Sequence, residues 1–187
     1  MSLQLDLSEI VSREGMRSAV YVDQAGVEDP DLNFASPLRG ALTFVNGGDL
    51  ISIEGSLATE LQAECSRCLT PVRLPLSVAI DERYPIPDIL NPTRKPAPDE
   101  DFDPTIRSVV YLEKGRPILD LDELMRQLLV AELPIRILCS EECRGLCPGC
   151  GALLNEQPCT CSAPVTDGSQ AVLRDLLEPR SAADRGA

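Results

Sequence analysis

Four short-spaced groups of cysteine constrain this chain more than any other feature. "CSRC" holds Cys65 and Cys68, and "CSEECRGLCPGCGALLNEQPCTC" holds Cys139, Cys143, Cys147, Cys150, Cys159 and Cys161. Those eight are all the cysteines of the sequence, which has no histidine. Two cysteines separated by two residues in a tight turn can aim both sulfurs at one metal ion and supply half of a tetrahedral site. "CPGCG" is the best-formed knuckle. Pro148 favours the turn, and Gly151 permits the positive φ that lets backbone N–H groups approach the sulfurs. Eight thiols taken four at a time predict two zinc sites. Any such fold must therefore carry the CSRC pair to two cysteines far downstream.

Two partitions satisfy the spacing. In one, Cys65, Cys68, Cys139 and Cys143 bind the first ion, closing a long loop, and Cys147, Cys150, Cys159 and Cys161 bind the second as a small ribbon-like module. In the other, Cys139, Cys143, Cys147 and Cys150 share an ion. That crowds four ligands into one short segment and makes Cys159 and Cys161 reach back to the CSRC pair. Thiol chemistry of other kinds fits less well. "CRGLCPGC" has the C-x3-C-x2-C spacing of radical S-adenosylmethionine enzymes, but no series of βα units surrounds it. A thioredoxin-like CxxC belongs at a strand-to-helix junction, whereas Cys65 and Cys68 fall in a strand hairpin. A catalytic zinc keeps one position open for water, and sets of four thiolates leave none. Glu156, the one acid placed to act as a base near the second set, reads as a solvated loop carboxylate.

The compartment agrees with metal rather than disulfides. "MSLQLDLSEIVSREG" lacks the basic start, apolar core and cleavage site of a signal peptide, and its early acids argue against a transit peptide. No apolar run approaches the roughly 20 residues that span a bilayer. The expected location is the cytoplasm, where disulfides are rarely kept. Charge narrows the partners. Acids outnumber bases 30 to 17, for a net charge of −13 in 187 residues. Eight thiolates and two divalent cations would take it to about −17. That sign opposes coating of nucleic acid or anionic membrane and favours basic proteins. A local cluster of Arg67, Arg73, Arg136 and Arg144 near the cysteines is the candidate for a limited RNA contact, although such arginines also serve to screen thiolate charge and solvate a surface.

Hydrophobic periodicity gives an α+β chain with a mainly antiparallel β body. Leu3, Leu5 and Leu7, then residues 19–22, suggest two short strands. "LTFV" precedes the glycine turn "NGGD". Beyond it Ile51, Ile53, Leu57, Leu61, Ala63 and Cys65 share one parity, and Ser52, Glu54, Glu60, Gln62 and Glu64 the other. The alternation resumes after "SRCLTP" with Val72, Leu74, Leu76, Val78 and Ile80. A period of two over this length predicts a half-buried hairpin with the Cys65–Cys68 pair at its tip, and Pro75 predicts an exposed edge or a bulge. Prolines and "DEDFD" predict an acidic loop over 85–107. "DLDELMRQLLVAEL" predicts a helix over 120–132, capped by Asp120 with Glu123 and showing Leu121, Leu124, Met125, Leu128 and Leu129 on one face. A short final helix is expected near 170–177. The expected organisation is a β-rich body over 1–138, a cysteine-rich zinc module over 139–163, and a short helix and polar tail over 164–187.

The ordered combination of "CSRCL" on a hairpin, "DLDELMRQLLVAELPI" and "CRGLCPGCGALLN…CTC" resembles the YceD-type family of large ribosomal RNA accumulation proteins, over roughly residues 65–161. The resemblance implies a small protein of bacterial or plastid type, implicated in accumulation of 23S ribosomal RNA and not known as an enzyme. Some members lack the second cysteine cluster and keep the CxxC with a later pair like Cys139 and Cys143, which implies the first of the two partitions. The function expected on this basis is a non-catalytic assembly or stability factor for large-subunit rRNA. Its partner would be the pre-ribosomal large subunit, met through a basic ribosomal protein or assembly factor. The rival expectation is a thiol-based redox or zinc sensor, which needs accessible, low-pKa thiolates beside a resolving cysteine.

Overall fold

The long alternation becomes a hairpin of two fifteen-residue strands, β4 (Leu50–Glu64) and β5 (Pro71–Pro85). This computed structural model describes residues 3–95 and 104–161. Register runs without interruption from Leu50↔Pro85 to Glu64↔Pro71. Ile51, Ile53, Leu57 and Leu61 are buried on one face of β4, as are Leu76, Val78, Ile80 and Tyr84 on β5. Pro75 lies opposite Glu60 with no bulge. It is tolerated because β5 is an edge strand of the four-stranded sheet β2-β3-β4-β5, where a missing N–H faces away from the ladder. The other members are β2 (Arg17–Gln24) and β3 (Leu38–Asn46), and all pairings are antiparallel.

A second, three-stranded antiparallel sheet has the order β1-β7-β6, from β1 (Gln4–Asp6), β6 (Val110–Glu113) and β7 (Arg116–Asp120). The β6–β7 hairpin is not anticipated by the sequence reading. Its two-residue turn is Lys114-Gly115, with φ of 50° and 79°, the paired positive values that match the twist of a tight hairpin. The loop expected over 85–107 needs correction at both ends. The helix α2 (Ile86–Leu90) begins directly after β5 and buries Asp88 and Ile89, and α3 (Ile106–Val109) buries Ile106 and Val109. Pro87 sits in the first turn of α2, where the absent N–H would have had no helical partner. Residues 96–103, with "DEDFD", and the helix expected near 170–177 lie outside the described residues.

The helix α4 (Leu121–Glu132) starts at Asp120, whose carboxylate accepts from the Glu123 backbone N–H at 3.1 Å. Only half of a capping box forms, since the Glu123 side chain turns instead to Arg126 and Gln127. Leu121, Leu124, Met125 and Leu129 enter the core. The short helix α1 (Ser8–Ser12) packs near β3, and buried Asn46 joins them. Its Nδ2 donates to the carbonyls of Ile10 and Val11, and its Oδ1 accepts from Gly48 N–H. A buried amide is thus fully satisfied while it ends one helix and shapes the β3–β4 turn.

The chain divides into two units. The body comprises Met1–Cys65 and Thr70–Cys139 and contains both sheets and α1–α4. Among the described residues, the cysteine unit comprises Ser66–Leu69, the tip of the β4–β5 hairpin, and residues 140–161.

Candidate metal centres

The hairpin tip is closed by Cys65 N–H donating to the Thr70 carbonyl at 2.9 Å. Within the cysteine unit, the tip is held by its own backbone and by Arg67. Leu146 N–H donates to the Arg67 carbonyl at 3.2 Å, and Arg67 Nη1 donates to the Cys143 carbonyl at 2.7 Å. Gly145 makes this approach sterically feasible. Its φ is +74°, and a Cβ there would stand 2.9 Å from the Arg67 carbonyl oxygen. A side chain at this position meets backbone that cannot give way, in a conformation that disfavours L-residues.

The second half of the unit is a small hairpin around "CPGCG". Leu146 bridges Leu153 in antiparallel fashion, Cys147 N–H donates to Ala152 O at 2.8 Å, and Leu154 N–H donates to Gly145 O at 3.0 Å. Gly151 adopts the left-handed conformation at φ 73°, and its N–H closes the knuckle on Cys147 O at 2.8 Å. Gly149 N–H donates to Cys147 Sγ at 3.4 Å, and Cys161 N–H to Cys159 Sγ at 3.2 Å. These contacts are what a thiolate needs in place of water. Backbone N–H groups of Cys150 and Gly149 hold the Cys147 thiol down at about 7. The sulfurs of Cys159 and Cys150 push Cys161 up to about 12. With thiols alone, the cluster concentrates negative charge on Cys147 and keeps a proton on Cys161, a conflict that a divalent cation removes.

The eight sulfurs form two groups. Those of Cys65, Cys68, Cys139 and Cys143 lie within 4.8 Å of one another, and so do those of Cys147, Cys150, Cys159 and Cys161. A zinc ion with four sulfurs at about 2.3 Å has a tetrahedral edge of about 3.8 Å, which falls within the 4.8 Å that bounds the separations in each group. The donor chemistry fits zinc, with four soft, anionic ligands per group and none left over. Cys65, Cys68, Cys143 and Cys147 are buried, Cys159 is half-buried, and Cys139, Cys150 and Cys161 are exposed. All eight are free of disulfides.

The four arginines singled out from sequence have different surroundings. Arg67 and Arg144 belong to the cysteine unit, and Arg73 and Arg136 to the body. Arg67 is committed to the Cys143 carbonyl. Arg144 donates through its backbone N–H to Asn155 Oδ1 at 2.8 Å and through Nη2 to Asn155 O at 3.4 Å. Arg73 pairs with Glu60 at 3.2 Å. Arg136 is exposed. One residue escapes the sequence reading altogether. Asn155 Nδ2 donates to Cys143 Sγ at 3.1 Å. Its only signal was a polar residue ending the run "GALLN", which spacing rules do not weigh.

The family model described as "Large ribosomal RNA subunit accumulation protein YceD" matches residues 53–177, a span containing every cysteine. Uncharacterized proteins of Mycobacterium bovis and Mycobacterium tuberculosis are each 30% identical over 167 residues, covering 89% of this chain and 70% of theirs. A chloroplastic "Large ribosomal RNA subunit accumulation protein YCED homolog 1" of Arabidopsis thaliana is 33% identical over 60 residues, covering 32% of this chain and 19% of its own. No solved structure matches.

Proposed function

This chain belongs to the YceD family of large ribosomal RNA subunit accumulation proteins, and we propose that it is a non-catalytic factor for the accumulation and stability of 23S rRNA, acting in the cytoplasm during ribosome assembly with two structural zinc ions. Cys65, Cys68, Cys139 and Cys143 would hold the first ion, and Cys147, Cys150, Cys159 and Cys161 the second. The observation that carries the zinc reading is the grouping of eight sulfurs into two complete sets of four. A set of four thiolates fills a tetrahedral ion, so the ions would supply cross-linking and charge rather than a reactive water.

The partner follows from charge. An acidic chain at −13 attracts cationic molecules over a Debye length of about 8 Å at physiological salt. A basic ribosomal protein or assembly factor on the pre-ribosomal large subunit fits that field, with Arg67, Arg73, Arg136 and Arg144 as secondary rRNA contacts. Among the described residues no helix is long and apolar enough to cross a membrane.

The test is capture of the tagged chain with and without ribonuclease, together with large-subunit rRNA levels after depletion of the protein. Retention of basic large-subunit proteins after ribonuclease, and a fall in 23S rRNA on depletion, are expected. Loss of every partner on ribonuclease treatment would assign the contact to RNA, and unchanged rRNA on depletion would overturn the function. A second reading, a thiol-based sensor, is favoured by the exposure of Cys150 and Cys161 beside Cys159. It would show as metal release and disulfide formation under mild oxidation, with rRNA unaffected in reduced cells.

A further inference from the structure

Asn155 lies between Cys150 and Cys159, two ligands of the second sulfur group, yet its side chain is directed at a ligand of the first. The orientation of its amide is settled by chemistry. The Arg144 backbone N–H, 2.8 Å away, can only donate, so Oδ1 must face it. Nδ2 is then the atom that meets Cys143 Sγ at 3.1 Å. The Cys143 side chain is buried, so a donor supplied by the protein takes the place of water at that sulfur. The segment that carries Asn155 is fastened by backbone bonds on its N-terminal side, from Leu154 N–H to Gly145 O and from Cys147 N–H to Ala152 O. On its C-terminal side, Glu156 N–H and Gln157 N–H return to Leu153 O at 3.2 Å each. Beyond that turn, what brings the chain back is the gathering of Cys159 and Cys161 with Cys147 and Cys150.

We infer that Asn155 is a positioning residue that couples the two metal centres: an ion held by Cys147, Cys150, Cys159 and Cys161 fixes the Asn155 loop, and the Asn155 amide then stabilises the Cys143 thiolate as a ligand of the other ion. The inference rests on the zinc reading proposed above. Donors to a ligating atom stabilise its charged form and fix its direction, and their loss typically weakens metal binding about 10–100-fold. Reciprocity requires that occupation of either centre strengthen the other by the same factor.

The experiment is an anaerobic cobalt(II) titration of the full metal-stripped chain against a competing chelator, followed by thiolate-to-metal charge-transfer absorption. Wild type should take up two ions. Asn155→Ala should weaken one of them about 10–100-fold and leave the other within a factor of about two. Cys159→Ser, which frees the loop, should lose one ion and weaken the remaining one by a factor similar to that for Asn155→Ala. Adding Asn155→Ala to Cys159→Ser should then change nothing further, since one coupling cannot be removed twice. If Asn155→Ala disorders the unit so that both ions weaken, Asn155→Asp decides. It keeps an acceptor for Arg144 N–H but sets a carboxylate oxygen where the donor to sulfur stood, which removes the hydrogen bond and adds a repulsion at Cys143. Weakening of one ion by Asn155→Asp that disappears once Cys159→Ser has freed the loop supports the coupling, and two unchanged affinities overturn it. Uptake of fewer than two ions by wild type would sink the zinc reading and the coupling together. Two ions in wild type with Asn155 variants that titrate like it would sink the coupling alone.

Discussion

The guanidinium of Arg67 stands with Nη1 2.7 Å from the carbonyl oxygen of Cys143 and 3.4 Å from that of Glu141. An arginine proposed as an RNA contact is therefore also a brace for backbone beside a cysteine of the first sulfur group. Arg136, exposed and in the body, has no such duty among the described residues. Arg67→Glu should cost about 1–3 kcal/mol through the lost charged hydrogen bonds and speed metal loss to a chelator. Arg136→Glu should leave melting and metal retention unchanged while it weakens any rRNA binding. Chelator-release kinetics and RNA binding at physiological salt, measured on both variants, check this. Equal behaviour of the two would contradict the separation.

The two cysteine groups should fail differently. Cys65 directly follows β4, is buried, and donates its N–H to the Thr70 carbonyl. Cys65→Ser should lower the main thermal transition, by roughly 2–4 °C for each kcal/mol lost in a chain of this size. Cys159, half-buried in the cysteine unit, should on replacement by serine lower that transition less than Cys65→Ser does and raise proteolysis and amide exchange over residues 140–161. Equal losses in the main transition would argue against this division.

Leu69 adopts φ 60° and is 58% exposed. A left-handed conformation costs a non-glycine residue about 1–2 kcal/mol, and asparagine tolerates it better. Leu69→Asn should raise the melting temperature by about 2–4 °C. A drop in partner capture by this more stable variant would identify the exposed leucine as a contact surface. Unchanged capture would leave it a turn residue only.

Arg126 joins α4 to the segment before β3. It pairs with Glu123 at 2.7 Å and with half-buried Asp29 at 3.0 Å. Its hydrogen bond to Glu123 holds that carboxyl below the usual 4.5, against the opposing effect of burial and with help from Gln127. A depressed carboxylate contributes stability that is present above its unfolded value and lost as pH falls through the folded one. Wild type should therefore lose stability below about pH 4.5. Arg126→Met should be less stable at pH 7 and should lose less on acidification. A variant with the same acid dependence as wild type would contradict the assignment.

The β4–β5 hairpin and α4 were legible because each repeats one period for long enough. Fifteen residues of alternation admit only a half-buried strand, and Asp120 marks the helix start by chemistry that survives in the fold. The β6–β7 hairpin was not legible. Its burial runs in blocks, with one buried residue then three exposed in β6 and three consecutive buried residues in β7. No period of two exists there to detect, and only Lys114-Gly115 marked the turn. For the candidate metal centres, spacing narrowed the cysteine sets to two partitions. Choosing between them takes three-dimensional placement of Cys139 and Cys143. Asn155 could not be foreseen, because its role depends on a hydrogen bond to a sulfur twelve residues away.

Two four-thiolate metal centres per chain are what the proposed function rests on. Native mass spectrometry of the purified full chain, with elemental analysis and counting of reactive thiols on the same sample, tests it directly. Two zinc ions per chain are expected, with no rapidly reacting thiol until chelator or acid removes the metal and eight appear. One ion, none, or iron with visible absorbance would contradict the claim.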